Sequence, residues 1–269
     1  MPYIETPAGV TLHYEETGSG RPVVFVHGWA MSGRVWRFQQ QLVENRRLIF
    51  LDQRGHGHSS LADGYTVDDF AGDLVAFFQE LALEDAVLIG WSMGVQVALH
   101  AFPALRARLA GLVLVGGTPR FIADEGYPHG QPAIEVKGLG IRLKRDYQKT
   151  MGDFFRGMFA ADEMDQAQYQ RIVHEIVMGG KSPEPDVARQ ALMILSAADL
   201  REELQAVDRP VLLVHGALDT ICPAGASAYM AKRLPMAALE VMEGCGHAPF
   251  MTRPDEFNEL VKDFISRIG

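Results

Sequence analysis

Ser92 stands in the stretch Gly90-Trp91-Ser92-Met93-Gly94, with an apolar run before it and a helix-like segment after it. A serine hydroxyl is a weak nucleophile until a base takes its proton. The G-x-S-x-G order between a strand and a helix lifts that hydroxyl above the sheet edge, where a base can reach it. The glycines are required because the sharp turn brings neighbouring backbone close, and a Cβ at either position would clash. The helix that follows presents free N–H groups at its start, which favour negative charge developing nearby.

Two later residues have the types that would complete such a site. Asp219, in "VLLVHGALDTICP", lies just beyond an apolar run, and His247, in "LEVMEGCGHAPF", lies in the loop after the next run. Singly, Asp219 reads equally well as a turn or cap aspartate, and His247 as a loop histidine bonded to backbone. Together, in the order serine, acid, histidine and at the ends of successive strands, they read as a catalytic triad. His247 would take the Ser92 proton and return it to the leaving alcohol, while Asp219 would fix the imidazole tautomer. In "FVHGWAMSG" the Trp29 N–H, paired with the Met93 N–H, would form an oxyanion hole. His27 reads as a structural brace for that loop, since no second base is needed.

These residues must be held by a scaffold, and the chain supplies one. The runs "PVVFVHG", "LIFLD", "AVLIG", "LVLVGG", "PVLLVHG" and "LEVMEG" are short, apolar and separated by helix-like segments. That alternation predicts an α/β fold with a mostly parallel central sheet flanked by helices, because crossover helices bury both faces of each strand. "VTLHYEETG" reads as an antiparallel edge strand. "YTVDDFAGDLVAFFQELAL" reads as a helix with Thr66 as its N-cap. The rhythm breaks over residues 119–199, where "DYQKTMGDFFRGMF" and "MDQAQYQRIVHEIVM" are helical and no strand-like run occurs. The expected organisation is a core of residues 1–118 and 200–269 with a helical lid, 119–199, inserted between two strands.

Composition narrows the function classes. With 269 residues, 48% hydrophobic and 22% charged, the chain matches a soluble globular protein with one substantial core. A net charge of -9 argues against general nucleic-acid binding, which relies on Lys and Arg clusters. Cys222 and Cys245 are too few for a disulfide framework, suit a reducing compartment and match no zinc spacing. They read as packed thiols. The first residues lack the order of a signal peptide and no run approaches a membrane span, so the expected location is cytoplasmic, with no membrane partner. "LDQRGHGHS", Asp52 to Ser59, offers two histidines but no third ligand, and reads as a tight turn in which Asp52 and Arg54 make local bonds. No metal and no cofactor are expected.

The strings "HGW", "GWSMG", "DLR" at Asp199 to Arg201 and "GHAPFMTRPDEF" resemble the α/β-hydrolase family over essentially the whole chain, and within it the BioH-type esterases. The resemblance implies a serine carboxylesterase that hydrolyses pimeloyl-acyl-carrier-protein methyl ester in biotin synthesis, with an acyl carrier protein as partner and a monomeric enzyme. It further implies an acyl channel lined by Trp29, Trp91, Phe154 and Phe155, and a carrier-protein patch on the lid at Arg142, Arg145, Lys149 and Arg156. Asp153 departs from the expected basic character there. The residues themselves leave other readings open: aromatics at helical spacing are commonly core, and a basic stretch is commonly a solvated helix face. The same triad would also serve a general short-chain esterase, a lactonase or a carbon–carbon bond hydrolase, and the fold a non-catalytic ligand-binding module.

Overall fold

The apolar runs become strands buried on both faces. The computed structural model describes residues 2–269, and its strands are β1 (Tyr3–Glu5), β2 (Thr11–Gly18), β3 (Arg21–Val26), β4 (Arg46–Leu51), β5 (Ala86–Trp91), β6 (Leu109–Val115), β7 (Val211–Gly216) and β8 (Ala237–Met242). They form one eight-stranded sheet in the order β1-β2-β4-β3-β5-β6-β7-β8. β3 to β8 run parallel, and β1 and β2 pair antiparallel. The sequence placed β2 at the edge. Instead Tyr3–Glu5, too short to declare itself by alternation, pairs with it and takes that position.

Successive side chains of a strand feed opposite faces of the sheet. Val24, Val26, Leu88, Leu112 and Leu114 pack on one side with the helices α1 (Val67–Glu80) and α2 (Met93–Leu105). Val23, Phe25, Val87, Ile89, Val113 and Val115 pack on the other, against Trp36, Phe250, Phe257 and Val261. The start of α1 is set as its sequence implies: Thr66 Oγ1 accepts from the Asp69 N–H and the Asp69 carboxylate accepts from the Thr66 N–H, a reciprocal capping box.

Between β6 and β7 the chain makes only helices and isolated bridges. Its helices are α3 (Ala133–Arg145), α4 (Tyr147–Gly157), α5 (Gln166–Ile172) and α6 (Pro185–Ala197), with a π-helical turn at Val173–Met178. The two ends of this segment meet where Arg120 bridges Asp199 in the backbone and in an ion pair at 2.5 Å. Arg201 adds a second cation, 2.7 Å from the same carboxylate. After β7 come α7 (Gly225–Ala231), and after β8 α8 (Pro249–Thr252) and α9 (Pro254–Arg267). No helix among the described residues is long and apolar enough to cross a membrane.

Candidate active site

Three strands deliver the three polar residues to one end of the sheet. Ser92 directly follows β5, Asp219 is the third residue after β7, and His247 follows β8. Ser92 has φ 55° and ψ -115°, a left-handed conformation that costs a non-glycine residue about 1–3 kcal/mol. The turn is held by the Ser92 N–H, which donates to Val115 O at 3.0 Å, and by Ser92 O, which accepts from the Val95 N–H at 2.9 Å. Gly90 and Gly94 have the steric role expected of them. A Cβ at Gly90 would lie 2.5 Å from Gly94 O, and one at Gly94 would lie 2.5 Å from Val26 O.

His247 donates from Nδ1 to Asp219 Oδ2 at 2.7 Å. Its Nε2 is buried and has no hydrogen-bond partner, so Ser92 and His247 are not bonded to each other here. Asp219 Oδ1 accepts from the N–H groups of Ile221 and Cys222, at 2.8 and 2.9 Å. Burial alone would raise the Asp219 pKa, but the His247 charge and hydrogen bonds from His215 and His247 outweigh it and hold the carboxyl well below the usual range. The acid therefore stays ionised next to the imidazole.

Beside Ser92 runs the loop after β3. A Cβ on Gly28 would lie 3.0 Å from Ser92 Cβ and from the Trp91 ring, so a larger residue here would crowd both. His27 Nδ1 donates to Gly28 O at 2.8 Å, and Nε2 accepts from the Gln53 N–H at 3.0 Å, which makes the ring a brace for the turn. Burial pushes its pKa down, against the opposing effect of the Gly28 bond. Ala30 sits at φ 56°, a second left-handed non-glycine residue at the site. Met93 opens α2, and its N–H belongs to the first turn, where a helix leaves donors without intrahelical partners.

The aromatic residues separate into different roles. The Trp29 ring is buried, donates from Nε1 to Ala188 O at 2.8 Å and meets Phe154 edge-on at 4.8 Å. Phe154 lines a cavity of about 410 Å³ with Phe121, Leu139, Thr220 and Ile221, next to the Asp219 loop. Phe155 faces the other side of α4, in a cavity of about 240 Å³ with Ala30, Met31 and Met151. Trp91 departs from the expected acyl contact. It is 1% exposed, packs on Phe250 and donates from Nε1 to His247 O at 2.9 Å, which makes it a prop for the histidine loop.

The basic residues are also divided. Arg142, Arg145, Lys149 and Arg156 are all exposed, but Lys149 Nζ pairs with Asp153 at 2.5 Å. Arg142 lines the Phe154 cavity, and Arg156 the Phe155 cavity. Arg142, Lys144 and Arg145 occupy the last turn of α3, where cations are favoured by the helix dipole.

Two residues near the site carried no motif. His215 lies on β7, with Nε2 2.6 Å from Cys222 O and 3.1 Å from Asp219 Oδ2, and Nδ1 accepts from Ser227 Oγ at 2.6 Å. Its place four residues before Asp219 was the one available signal. Glu163, between α4 and α5, accepts from the Gly246 N–H at 2.9 Å and from Thr252 Oγ1 at 2.6 Å. Nothing in "ADEMDQ" marks it. Both cysteines are buried, and burial raises both thiols, so neither is set up as a nucleophile. No group of three His, Cys, Asp or Glu residues among those described is arranged to hold a metal ion.

The alpha/beta hydrolase family pattern matches residues 23–260. A pimeloyl-acyl-carrier protein methyl ester esterase of Nitrosomonas europaea is 35% identical over 252 residues, covering 92% of this chain and 96% of the relative. The protein of the same description from Nitrosospira multiformis is 31% identical over 92% of this chain and 95% of its own. Among solved structures, the esterase EaEST from Exiguobacterium antarcticum superposes with a TM-score of 0.91 at 29% identity, over 98% of each chain.

Proposed function

This chain belongs to the alpha/beta hydrolase family, and from that premise we propose that it is a serine carboxylesterase acting on the methyl ester of a pimeloyl chain carried by an acyl carrier protein. The observation that carries the esterase reading is the convergence at one sheet end of a strained Ser92, an unbonded His247 Nε2 and an ionised Asp219 bonded to His247 Nδ1. The substrate is supported by the two relatives whose names specify it.

In this reading His247 Nε2 takes the Ser92 proton as Oγ attacks the ester carbonyl. The Met93 and Trp29 N–H groups receive the oxyanion, and Asp219 stabilises the imidazolium. The proton then passes to the departing methoxy group, methanol leaves, and water activated by His247 cleaves the acyl-enzyme. The helices of residues 119–199 act as the lid, with the Trp29–Phe154 wall and the 410 Å³ cavity beside it taking the acyl chain. Arg142, Arg145, Lys149 and Arg156 steer the acidic carrier, although the Asp153 pair weakens the contribution of Lys149.

The test is methanol release from pimeloyl-carrier methyl ester by the purified protein, beside turnover of a small p-nitrophenyl ester. Efficient hydrolysis of the carrier-bound ester is the expected result. Turnover of the small ester alone would keep the serine chemistry and overturn the substrate. Charge reversal of Arg142 and Arg145 together should slow the carrier-bound ester by about tenfold or more while sparing the small one, an effect on encounter that shrinks in salt. Equal loss on both substrates would contradict docking at that patch.

A further inference from the structure

We propose that Glu163 is a positioning residue for the catalytic base, so that the helical segment helps to hold the machinery it covers. The inference rests on the reading of His247 as that base.

His247 lies in a loop between β8 and α8, outside any strand ladder or helix that could fix it. Its backbone is held from outside. The His247 N–H donates to Met158 O at 2.7 Å, and His247 O accepts from Trp91 Nε1 at 2.9 Å. The preceding N–H, of Gly246, donates to Glu163 Oε2 at 2.9 Å. The same oxygen accepts from the Ala160 N–H at 2.7 Å, and Oε1 accepts from Thr252 Oγ1 at 2.6 Å. One carboxylate thus ties three chain segments together: its own turn after α4, the residue before the base, and the end of α8. Gly246 makes the approach possible, since a Cβ there would lie 2.5 Å from Met158 O.

Every partner of Glu163 in this clamp is a donor, and an ionised carboxylate offers only acceptors. Glu163→Ala removes both oxygens, so the Gly246 and Ala160 N–H groups and the Thr252 hydroxyl lose their shared acceptor group together. The loop shifts, and the imidazole with it. Displacement by about 1 Å at a reacting group can cost roughly 10²-fold in rate. The loss belongs in kcat, because Glu163 touches neither proposed cavity wall nor Ser92.

The experiment compares wild type, Glu163→Ala, Thr252→Val and Ser92→Ala on a small p-nitrophenyl ester, with proton NMR of the His247 Nδ1–H bonded to Asp219. For Glu163→Ala the expected result is kcat lower by about 10- to 100-fold with KM changed less than about twofold, and a shifted or exchange-broadened Nδ1–H resonance. Thr252→Val removes one donor and leaves the other two, so it should give a smaller change of the same kind, and it serves if Glu163→Ala does not fold. Wild-type kcat with an unmoved resonance in the folded variant would overturn the proposal. So would a rise in KM alone. Activity retained by Ser92→Ala would instead overturn the serine reading on which it stands, whereas an inactive Ser92→Ala beside a fully active Glu163→Ala would overturn the positioning role only.

Discussion

At the scale of single residues, Asp219 carries more interactions than a partner for one histidine requires. It accepts from two backbone N–H groups and from His247, and His215 stands 3.1 Å away. Its depressed pKa keeps it ionised well into acid, so the carboxylate does not limit activity near neutral pH. Asp219→Asn should leave the fold in place, because the amide oxygen can still accept from Ile221 and Cys222. It would present a donor where His247 Nδ1–H needs an acceptor, and kcat should fall by about 10³- to 10⁴-fold. Steady-state kinetics beside circular dichroism checks this; a variant within tenfold of wild type would remove Asp219 from the mechanism. The placement of Ser92, Asp219 and His247 after β5, β7 and β8 was legible because the apolar runs mark those strands in the sequence. Glu163 and His215 were not, because their roles come from contacts 83 residues away for Glu163 and from a shared carboxylate for His215. The bracing role of Trp91 is hidden for a related reason: that an indole supports a loop depends on packing that the string "GWSMG" does not contain.

At the scale of elements, the turn after β4 is docked on α1 by a buried ion pair. Arg54 Nε and Nη2 donate to the two Asp73 oxygens at 2.7 and 2.8 Å, and Arg54 Nη1 donates to Gly64 O. Both side chains are almost fully buried. Removing Asp73 leaves the buried Arg54 to the partly exposed Asp69 carboxylate, 3.3 Å from Nη1, so Asp73→Ala should cost about 3 kcal/mol, measured by urea unfolding. A loss below about 1 kcal/mol would mean that Arg54 finds water on relaxing. The local bonding expected of Arg54 was readable from the sequence, but its partner was not, since Asp73 looks like any polar residue on an amphipathic helix. The junction at the ends of the helical segment is of another kind. Asp199, paired with Arg201 and Arg120, has its pKa lowered to about 2. Being depressed in the fold, this group stabilises at and above the ordinary carboxylate range and loses that contribution as pH falls from about 3.8 towards 2. The pairs are partly exposed, so Asp199→Asn should cost no more than about 1 kcal/mol at pH 7. The difference in melting temperature from wild type should narrow at pH 3, and a gap that widens there would contradict the assignment.

Across the whole molecule, buried histidines shape the response to acid. His27 is lowered by burial, and His56 is lowered to about 3 by burial and by the neighbouring His27. Below pH 6.5 the unfolded chain takes up protons on these two residues that the folded chain refuses, against the opposite contribution of the partly exposed His100, whose pKa is raised, against desolvation, by Asp68 and Glu203, so stability falls as pH drops from 7 towards 5. Thermal melts across that window check the sign; a melting temperature that rises on acidification would contradict the burial. The parallel sheet and the run of helices between β6 and β7 were legible because continuous apolar strands and their interruption are compositional signals. The antiparallel edge at β1, the π-helical turn and the division of α4 between two cavities were not, because each depends on neighbours remote in sequence. Ester hydrolysis by this chain hinges on Ser92 acting as the nucleophile, and the direct measurement is kcat/KM for a p-nitrophenyl ester with wild type and Ser92→Ala at equal purity and with equal melting temperatures. The variant should lose about 10⁴-fold or more. Retention of most of the wild-type rate by a folded Ser92→Ala protein would contradict it.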